Sequence, residues 1–122
     1  MTNVLFVCSA NRLRSPTAEQ VFSTWPGVET DSAGISSGAS VLLSTEQVDW
    51  ADIIFVMEKT HRNKLLRQFL HHLKNKRVIC LDIPDDYEFM DPILVRTLES
   101  RVCRFLPRAE PAAREESGDS IS

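Results

Sequence analysis

Apolar runs alternate with helical patterns along the chain, and this alternation predicts the order of strands and helices. The apolar runs predict strands at 3–8, 28–34, 52–57 and 77–81, and the patterns between them predict helices at 16–25, 44–51, 58–71 and 91–106. Strands that alternate strictly with helices run parallel and connect through right-handed crossovers. The sequence therefore predicts the α/β class, a three-layer sandwich with helices on both faces of one four-stranded parallel sheet.

Two prolines predict where helices begin. Pro16 follows the first apolar run and its turn, and proline is favoured at the first position of a helix. Asp91 and Pro92 give a second signal of this kind, with Asp91 as N-cap and Pro92 at the first helical position. The turn between the first strand and the first helix is therefore predicted to run from Cys8 to Ser15.

Length and composition fit one small domain. The chain has 122 residues, of which 43% are hydrophobic, so it can bury a core without disulfide or metal staples. We expect the domain to span 1–106, because the sequence then turns to Pro, Ala, Glu, Ser and Gly, a composition typical of a flexible tail at 107–122. The net charge of −3 favours neither a general nucleic-acid binder nor a membrane-surface protein.

The sequence also predicts a cytoplasmic location. It contains no apolar run of about 18 residues, and the first strand begins almost at Met1, which leaves no room for a charged leader before a signal segment. Cys8, Cys80 and Cys103 are too few and too scattered for a disulfide framework. We therefore expect a reducing compartment, in which a catalytic thiol survives.

The turn after the first strand carries the candidate chemistry. Cys8 ends the apolar run 4–7, and Arg14 and Ser15 follow with Cys-x5-Arg spacing. Unpaired N–H groups and the positive end of a helix dipole favour an anion in such a turn, and an arginine fork matches phosphate oxygens. The same field favours the thiolate of Cys8 and predicts a nucleophile. The alternative is that Cys8 is only a small buried apolar residue at a strand end.

Four segments resemble the low-molecular-weight protein tyrosine phosphatases. The signature loop of that family is similar to VCSANRLRSPTAE at 7–19, and the end of its second strand is similar to DSAG at 31–34. Its third strand with flanks is similar to WADIIFVME at 50–58, and its acid loop is similar to IPDDY at 83–87, although Asp86 replaces the usual Pro. The resemblance covers about 3–106 and implies the strand order 2-1-3-4, with a phosphate-binding loop after the first strand.

This resemblance implies a phosphatase that hydrolyses phosphotyrosine in proteins through a phosphocysteine intermediate, with no metal or other cofactor. Cys8 would be the nucleophile, Arg14 the clamp on the phosphate oxygens and Asp85 the general acid. The loop that binds the substrate phosphate, or inorganic phosphate or sulfate in its place, would comprise Ser9, Ala10, Asn11, Arg12, Leu13, Arg14 and Ser15. The implied partner is a phosphotyrosine-containing protein substrate, with no nucleic acid and no membrane.

The identity of the general acid stays open in the sequence. Asp85 matches the register of the family, and Asp86 and Asp91 are its rivals in the same acidic stretch. Tyr87 is a candidate wall for a substrate ring, and Arg12 is a candidate rim residue that would attract acidic substrate segments. A divalent metal site is a further interpretation of the acidic stretch, but the stretch lacks the ligand spacing of a calcium loop.

Two departures from the family bear on regulation and selectivity. Many relatives have a second Cys just before the signature Arg, where it can protect the nucleophile as a disulfide, but this chain has Leu13 there. Residues 35–43 stand where relatives have a longer segment that lines the crevice. The choice between phosphotyrosine and phosphoarginine therefore stays open.

Other functions fit these residues less well. An arsenate reductase of the same fold needs two further redox cysteines close together, and Cys80 and Cys103 lie far apart in sequence. A non-catalytic phosphoprotein-binding domain would not require both Cys8 and Arg14. The basic stretch 59–77 is a candidate nucleic-acid surface, but it also fits the solvated side of an amphipathic helix.

Overall fold

The computed structural model describes residues 1–107, which form one four-stranded parallel sheet with strand order β2-β1-β3-β4. The strands are β1 (Thr2–Cys8), β2 (Val28–Gly34), β3 (Ile53–Val56) and β4 (Arg77–Cys80). The helices are α1 (Arg14–Phe22), α2 (Thr45–Trp50), α3 (Lys59–Phe69) and α4 (Pro92–Val102), with short 3₁₀ turns at Leu70–His72 and Cys103–Phe105. The predicted fold class and strand order are confirmed. Most of the tail predicted for 107–122 lies outside the described residues.

Side chains that alternate along the strands build a core on each face of the sheet. Phe6 of β1 packs on the face that carries α1 and α4, where its ring stacks on Phe22 and Phe55 with centroid distances of 5.8 and 5.4 Å. Leu5, next to it in β1, packs on the opposite face with Leu65 of α3. Because both faces of β1 are covered by helices, its residues form a continuous apolar run.

The start of α1 differs from the prediction. The helix begins at Arg14, and the Thr17 N–H donates to the Leu13 carbonyl oxygen at 3.0 Å. Pro16 is therefore the third helical position, which tolerates proline because first-turn N–H groups have no partner within the helix. Arg14 and Ser15 belong to the first turn of α1, and the connecting loop is 9–13.

The start of α4 follows the prediction. Asp91 is the N-cap, its Oδ1 atom accepts from the Ile93 N–H at 2.8 Å, and Pro92 is the first helical residue. A side chain in this capping role satisfies an N–H group that the helix itself leaves unpaired.

The end of β2 lies against the loop that follows β1, and only glycine fits there. A Cβ atom on Gly34 would lie 2.6 Å from the Ser9 carbonyl oxygen and 3.0 Å from the Ala10 carbonyl carbon. The Ile35 N–H donates to the Cys8 carbonyl oxygen at 2.9 Å, and the Ser36 N–H donates to that of Ser9 at 3.0 Å. This close approach fixes the loop at the carboxyl edge of the sheet, where ligands of parallel α/β folds bind.

Candidate active site

Cys8 lies at the carboxyl end of β1, with two donor groups aimed at its sulfur. The Asn11 N–H donates to Sγ at 3.2 Å, and the Ser15 Oγ lies 2.9 Å from Sγ. The residue is only 3% exposed. Groups that donate hydrogen bonds can stabilise a negative charge on sulfur, and two such groups meet at Cys8.

Asn11 holds the loop in this shape through its backbone and its side chain. Its φ of 56° is left-handed, a conformation that Asn adopts more readily than most residues. Its Nδ2 group donates to the Ser15 and Ser32 hydroxyl oxygens, both at 3.0 Å. The Ser15 hydroxyl has one hydrogen of its own, which it can donate to the Cys8 sulfur at 2.9 Å or to the more distant Ala33 carbonyl oxygen at 3.5 Å.

Arg14 is buried, with 2% exposure, and one edge of its guanidinium is already in use. Its Nη1 group donates to Glu58 Oε2 at 2.5 Å and to the Ile83 carbonyl oxygen at 2.8 Å. The Nε–H and the two Nη2 hydrogens remain for another acceptor, and they form the fork that matches two oxygens of a phosphate.

A cavity of about 180 Å³ opens above the sulfur. Its lining is formed by Cys8, Ala10, Arg12, Leu13, Arg14 and Asp85. The floor is therefore the candidate nucleophile, one wall is the arginine fork, and the rim carries a carboxyl group. A cavity of this size is suited to a tetrahedral anion with part of its ester group.

The structure separates the three candidate acids by position. Asp85 lines the cavity, and its Oδ1 atom lies 3.7 Å from Arg14 Nε. Its side chain is 63% exposed, so it is free to reorient. Asp86 is exposed and is not among the lining residues, and Asp91 caps α4. Geometry therefore favours Asp85 among the three.

The two candidate substrate-lining residues differ. Arg12 is exposed and lines the cavity, as expected for a rim residue. Tyr87 is half-buried, packs against the core on the α1 and α4 face, and is not among the residues that line the cavity. The aromatic wall assigned to Tyr87 stays a prediction.

The sequence analysis did not identify two residues that contact the candidate site, the N-cap of α3 and a histidine in its first turn. Glu58, the N-cap, pairs with Arg14, and the Nε2 atom of His61 lies 2.7 Å from Ser9 Oγ. His61 is buried, and burial followed by the nearby Arg14 charge lowers its pKa from the usual 6.5. Both contacts span more than forty residues of sequence. The only local signal was that Glu58 directly follows the third strand, at the same sheet edge as Cys8.

Within residues 1–107, the other cysteines do not share the surroundings of Cys8. Cys80 is half-buried at the end of β4, and Cys103 is exposed. Among residues 1–107, no three His, Cys, Asp or Glu side chains are grouped so that they could hold a metal ion. In the same part of the chain, no helix is both long and apolar enough to span a bilayer.

Comparison with solved structures identifies the fold. The tyrosine phosphatase SP-PTP from Streptococcus pyogenes, a low molecular weight protein tyrosine phosphatase, superposes with a TM-score of 0.73 at 16% identity, covering 94% of this chain and 99% of that chain. The YwlE arginine phosphatase from Geobacillus stearothermophilus gives 0.71 at 24% identity, covering 94% and 95%. The chain has the low-molecular-weight tyrosine phosphatase fold. No protein-family model matches it, and no curated protein matches it in sequence.

A third structure with this phosphatase fold contains an anion. The tyrosine phosphatase Wzb from Escherichia coli K30, in complex with phosphate, gives a TM-score of 0.69 at 19% identity, covering 84% of this chain and 94% of that chain.

In the present chain, the connection 35–43 contacts the candidate phosphate loop. The Ser40 N–H donates to the Ala10 carbonyl oxygen at 2.9 Å. Residues 35–43 therefore support the loop from the β2 side.

Proposed function

We propose that this chain is a cysteine-dependent phosphatase that hydrolyses phosphotyrosine in proteins through a phosphocysteine intermediate. The observation that carries the proposal is the arrangement around one cavity: the Cys8 sulfur at its floor with two donors, the free edge of Arg14 on its wall and Asp85 at its rim. The fold is shared with proteins named as tyrosine phosphatases and as an arginine phosphatase, which supports phosphatase chemistry.

In the first step, the thiolate of Cys8 attacks phosphorus and an S–P bond forms while the ester P–O bond breaks. Loop amides and the Nε and Nη2 hydrogens of Arg14 hold the three remaining oxygens, where negative charge is spread in the transition state. Asp85 donates its proton to the leaving phenolate oxygen. The products of this step are a free tyrosine side chain and phosphocysteine.

In the second step, water attacks the phosphocysteine and the S–P bond breaks. The Asp85 carboxylate, which lost its proton in the first step, accepts a proton from that water. The Ser15 hydroxyl donates to the departing thiolate, and this hydrogen bond makes Cys8 a better leaving group. Inorganic phosphate is released, and the site returns to its starting protonation.

The charge of Arg12 supports phosphotyrosine over phosphoarginine. Arg12 lines the cavity, so its side chain would lie close to the group that carries the phosphate. An arginine can stack on the face of a phenol ring, whereas it repels the positively charged guanidinium of phosphoarginine. Arg12 would also attract acidic residues that flank the phosphorylated side chain.

Hydrolysis of a panel of phosphopeptides tests this proposal. We expect the wild type to release phosphate from phosphotyrosine peptides, and more slowly from matched phosphoarginine and phosphoserine peptides. Cys8→Ser should lose at least about 10⁴-fold in kcat, because the nucleophile is removed. Cys103→Ser is the matched control and should retain full activity. Equal turnover by Cys8→Ser and the wild type would disprove the mechanism, and a preference for phosphoarginine would disprove the substrate assignment.

The acid is tested by three aspartate variants. Asp85→Asn should lower kcat for an aryl phosphate by about 10²- to 10⁴-fold, because the leaving phenolate loses its proton donor. The loss should shrink when the leaving phenol is more acidic, because that oxygen needs less protonation. Asp86→Asn should match the wild type, and so should Asp91→Asn, because asparagine caps a helix about as well as aspartate. A selective loss of activity in Asp91→Asn would show that the acid is wrongly assigned.

A further inference from the structure

The first turn of α3 contacts both ends of the candidate phosphate loop. At one end, His61 Nε2 lies 2.7 Å from the hydroxyl oxygen of Ser9, the residue that follows the nucleophile. At the other end, the Glu58 carboxylate accepts from Nη1 of Arg14. Glu58 and His61 are themselves joined, because the Glu58 N–H donates to His61 Nδ1 at 3.2 Å. One helical turn therefore links the start of the loop to the arginine at its end.

The hydrogen-bond partners of His61 fix which of its nitrogens carries the hydrogen. A backbone N–H can only donate, so Nδ1 must accept from Glu58 and is unprotonated. The hydrogen of the neutral ring is then on Nε2, from which it is donated to Ser9 Oγ. Both ring nitrogens are used in the neutral state, and the ring is 3% exposed.

The charges that face His61 come from three parts of the molecule. They are Arg14 of α1, Glu58 and Lys64 at the N-cap and in the middle of α3, and Asp85 in the loop after β4. Burial is the largest influence and lowers the pKa of the ring, followed by the positive charge of Arg14. These two causes keep the imidazole neutral near neutral pH, in agreement with the hydrogen-bond pattern.

We infer that neutral His61 is a positioning residue, which ties Ser9 to the backbone of Glu58 and so keeps the Glu58 carboxylate where it aims Arg14 at the bound phosphate. This inference rests on the proposed function. It predicts that the loop binds an anion best when His61 is present and uncharged. His61 itself does not touch the reacting atoms in this arrangement.

Protonation of His61 breaks the link at one defined atom. The second proton must go on Nδ1, which then points a hydrogen at the Glu58 N–H. Two donors cannot bond each other, so the Glu58 contact is lost while the Ser9 contact can remain. Arg14 then loses part of the support for its Nη1 edge, and a misplacement of about 1 Å at such a group can lower turnover ~100-fold.

The experiment compares His61→Leu, His61→Gln and Ser9→Ala with the wild type, and uses His71→Gln, at an exposed histidine, as the matched control. We expect His61→Leu to weaken sulfate binding and to lower kcat/KM for an aryl phosphate by about 10- to 100-fold. His61→Gln can still donate to Ser9 and should recover much of this loss. Ser9→Ala combined with His61→Leu should lose no more than His61→Leu alone, because the two residues share one bond.

Sulfate affinity as a function of pH separates positioning from general stability. Sulfate keeps its charge from about pH 7 to about pH 5, whereas His61 gains a proton as the pH falls. Wild-type affinity should therefore fall relative to that of His61→Gln, although both proteins remain folded by circular dichroism. The inference would be overturned if sulfate affinity changed with pH in the same way in the wild type and in His61→Gln. It would also be overturned if His61→Leu bound sulfate as tightly as the wild type and had the same kcat/KM.

The two proposals fail in different ways. If the wild type binds sulfate but hydrolyses no phosphopeptide, the proposed function is wrong, and the positioning role is then judged by sulfate affinity alone. If the wild type is an active phosphatase and the His61 and Ser9 variants match it in kcat/KM and in sulfate affinity, only the positioning role is wrong.

Discussion

The carboxyl ends of β1 and β4 look alike in sequence and differ in chemistry. Each strand ends in a cysteine, Cys8 or Cys80, and each is followed by a residue with left-handed backbone, Asn11 with φ 56° or Asp82 with φ 54°. At Cys8 the nearby groups are donors, an N–H and a hydroxyl. At Cys80 the nearby group is the Asp82 carboxylate, an acceptor 3.5 Å from the sulfur.

The difference follows from what each loop leads into. The loop after β1 enters α1 at once, so unpaired N–H groups and a buried arginine lie close to the sulfur. The chain after β4 runs without a helix until Pro92, and burial raises the pKa of the Cys80 thiol from its usual 9.0. We therefore propose that the donors placed around Cys8 by the next segment, and not its position at a strand end, suit it to act as a nucleophile.

Replacement of the arginine near each cysteine, Arg14 of α1 or Arg101 of α4, should give the largest contrast. Arg14→Lys should lower kcat/KM for an aryl phosphate by about 10²- to 10³-fold, because an ammonium group cannot bind Glu58, the Ile83 carbonyl and two phosphate oxygens together. Arg101 also donates to backbone carbonyls, those of Leu81 and Asp82. Arg101→Lys should leave kcat/KM unchanged. Steady-state kinetics of both variants measures these effects. An equal decrease of kcat/KM in Arg14→Lys and Arg101→Lys would contradict the account.

Changes to the left-handed residues should have a smaller effect. Asn11→Ala removes the donor to two buried hydroxyl groups and should lower the free energy of unfolding by about 1–3 kcal/mol, with a loss of activity. Asn11→Gly can keep the left-handed backbone but lacks the side chain. Comparison of the two variants therefore separates the effect of the backbone conformation from that of the lost hydrogen bonds. Asp82→Asn is the counterpart at β4 and should have little effect on either quantity. Denaturant unfolding and turnover that are unchanged in Asn11→Ala would show that the loop holds its shape without this side chain.

The smallest predicted effects are opposite pH dependences of stability. The folded-state pKa of His61 is lowered, so the unfolded chain binds the proton first, and stability should fall as the pH drops below about 6.5. The pKa of Cys80 is raised, so its thiol ionises first in the unfolded chain, and stability should fall as the pH rises through about 9. Unfolding free energies of His61→Gln and Cys80→Ser should be flatter on the acid and alkaline sides respectively. An unchanged slope in either variant would contradict its assignment.

Local sequence patterns predicted the fold well where one residue type decides the structure. Asp91 and Pro92 began α4 as expected, and the apolar run before Cys8 formed the buried central strand. Pro16 misplaced the start of α1 by two residues, because proline fits more than one position of a first helical turn. The predicted helix 91–106 ends as α-helix at Val102 and continues as a short 3₁₀ turn. Such boundaries depend on end hydrogen bonds that the pattern does not specify.

The site divides in the same way. The spacing of Cys8 and Arg14 predicted the phosphate-binding loop, because the two residues are separated by only five others in the sequence. Glu58 and His61 escaped prediction, since their contacts depend on how β3 is placed next to β1 in the sheet. The structure also separates Asp85 from Asp86, which the sequence could not do, because the course of the loop after Ile83 decides which carboxyl group lies at the cavity.

Competitive alkylation of the three cysteines in one sample tests the central claim most directly. The native protein is treated with iodoacetamide over a range of pH, with and without inorganic phosphate, and modification of Cys8, Cys80 and Cys103 is followed by peptide mass spectrometry. We predict that Cys8 reacts fastest near neutral pH although it is the most buried of the three, and that phosphate protects Cys8 alone. A Cys8 that reacts no faster than Cys80, or that phosphate fails to protect, would contradict the account.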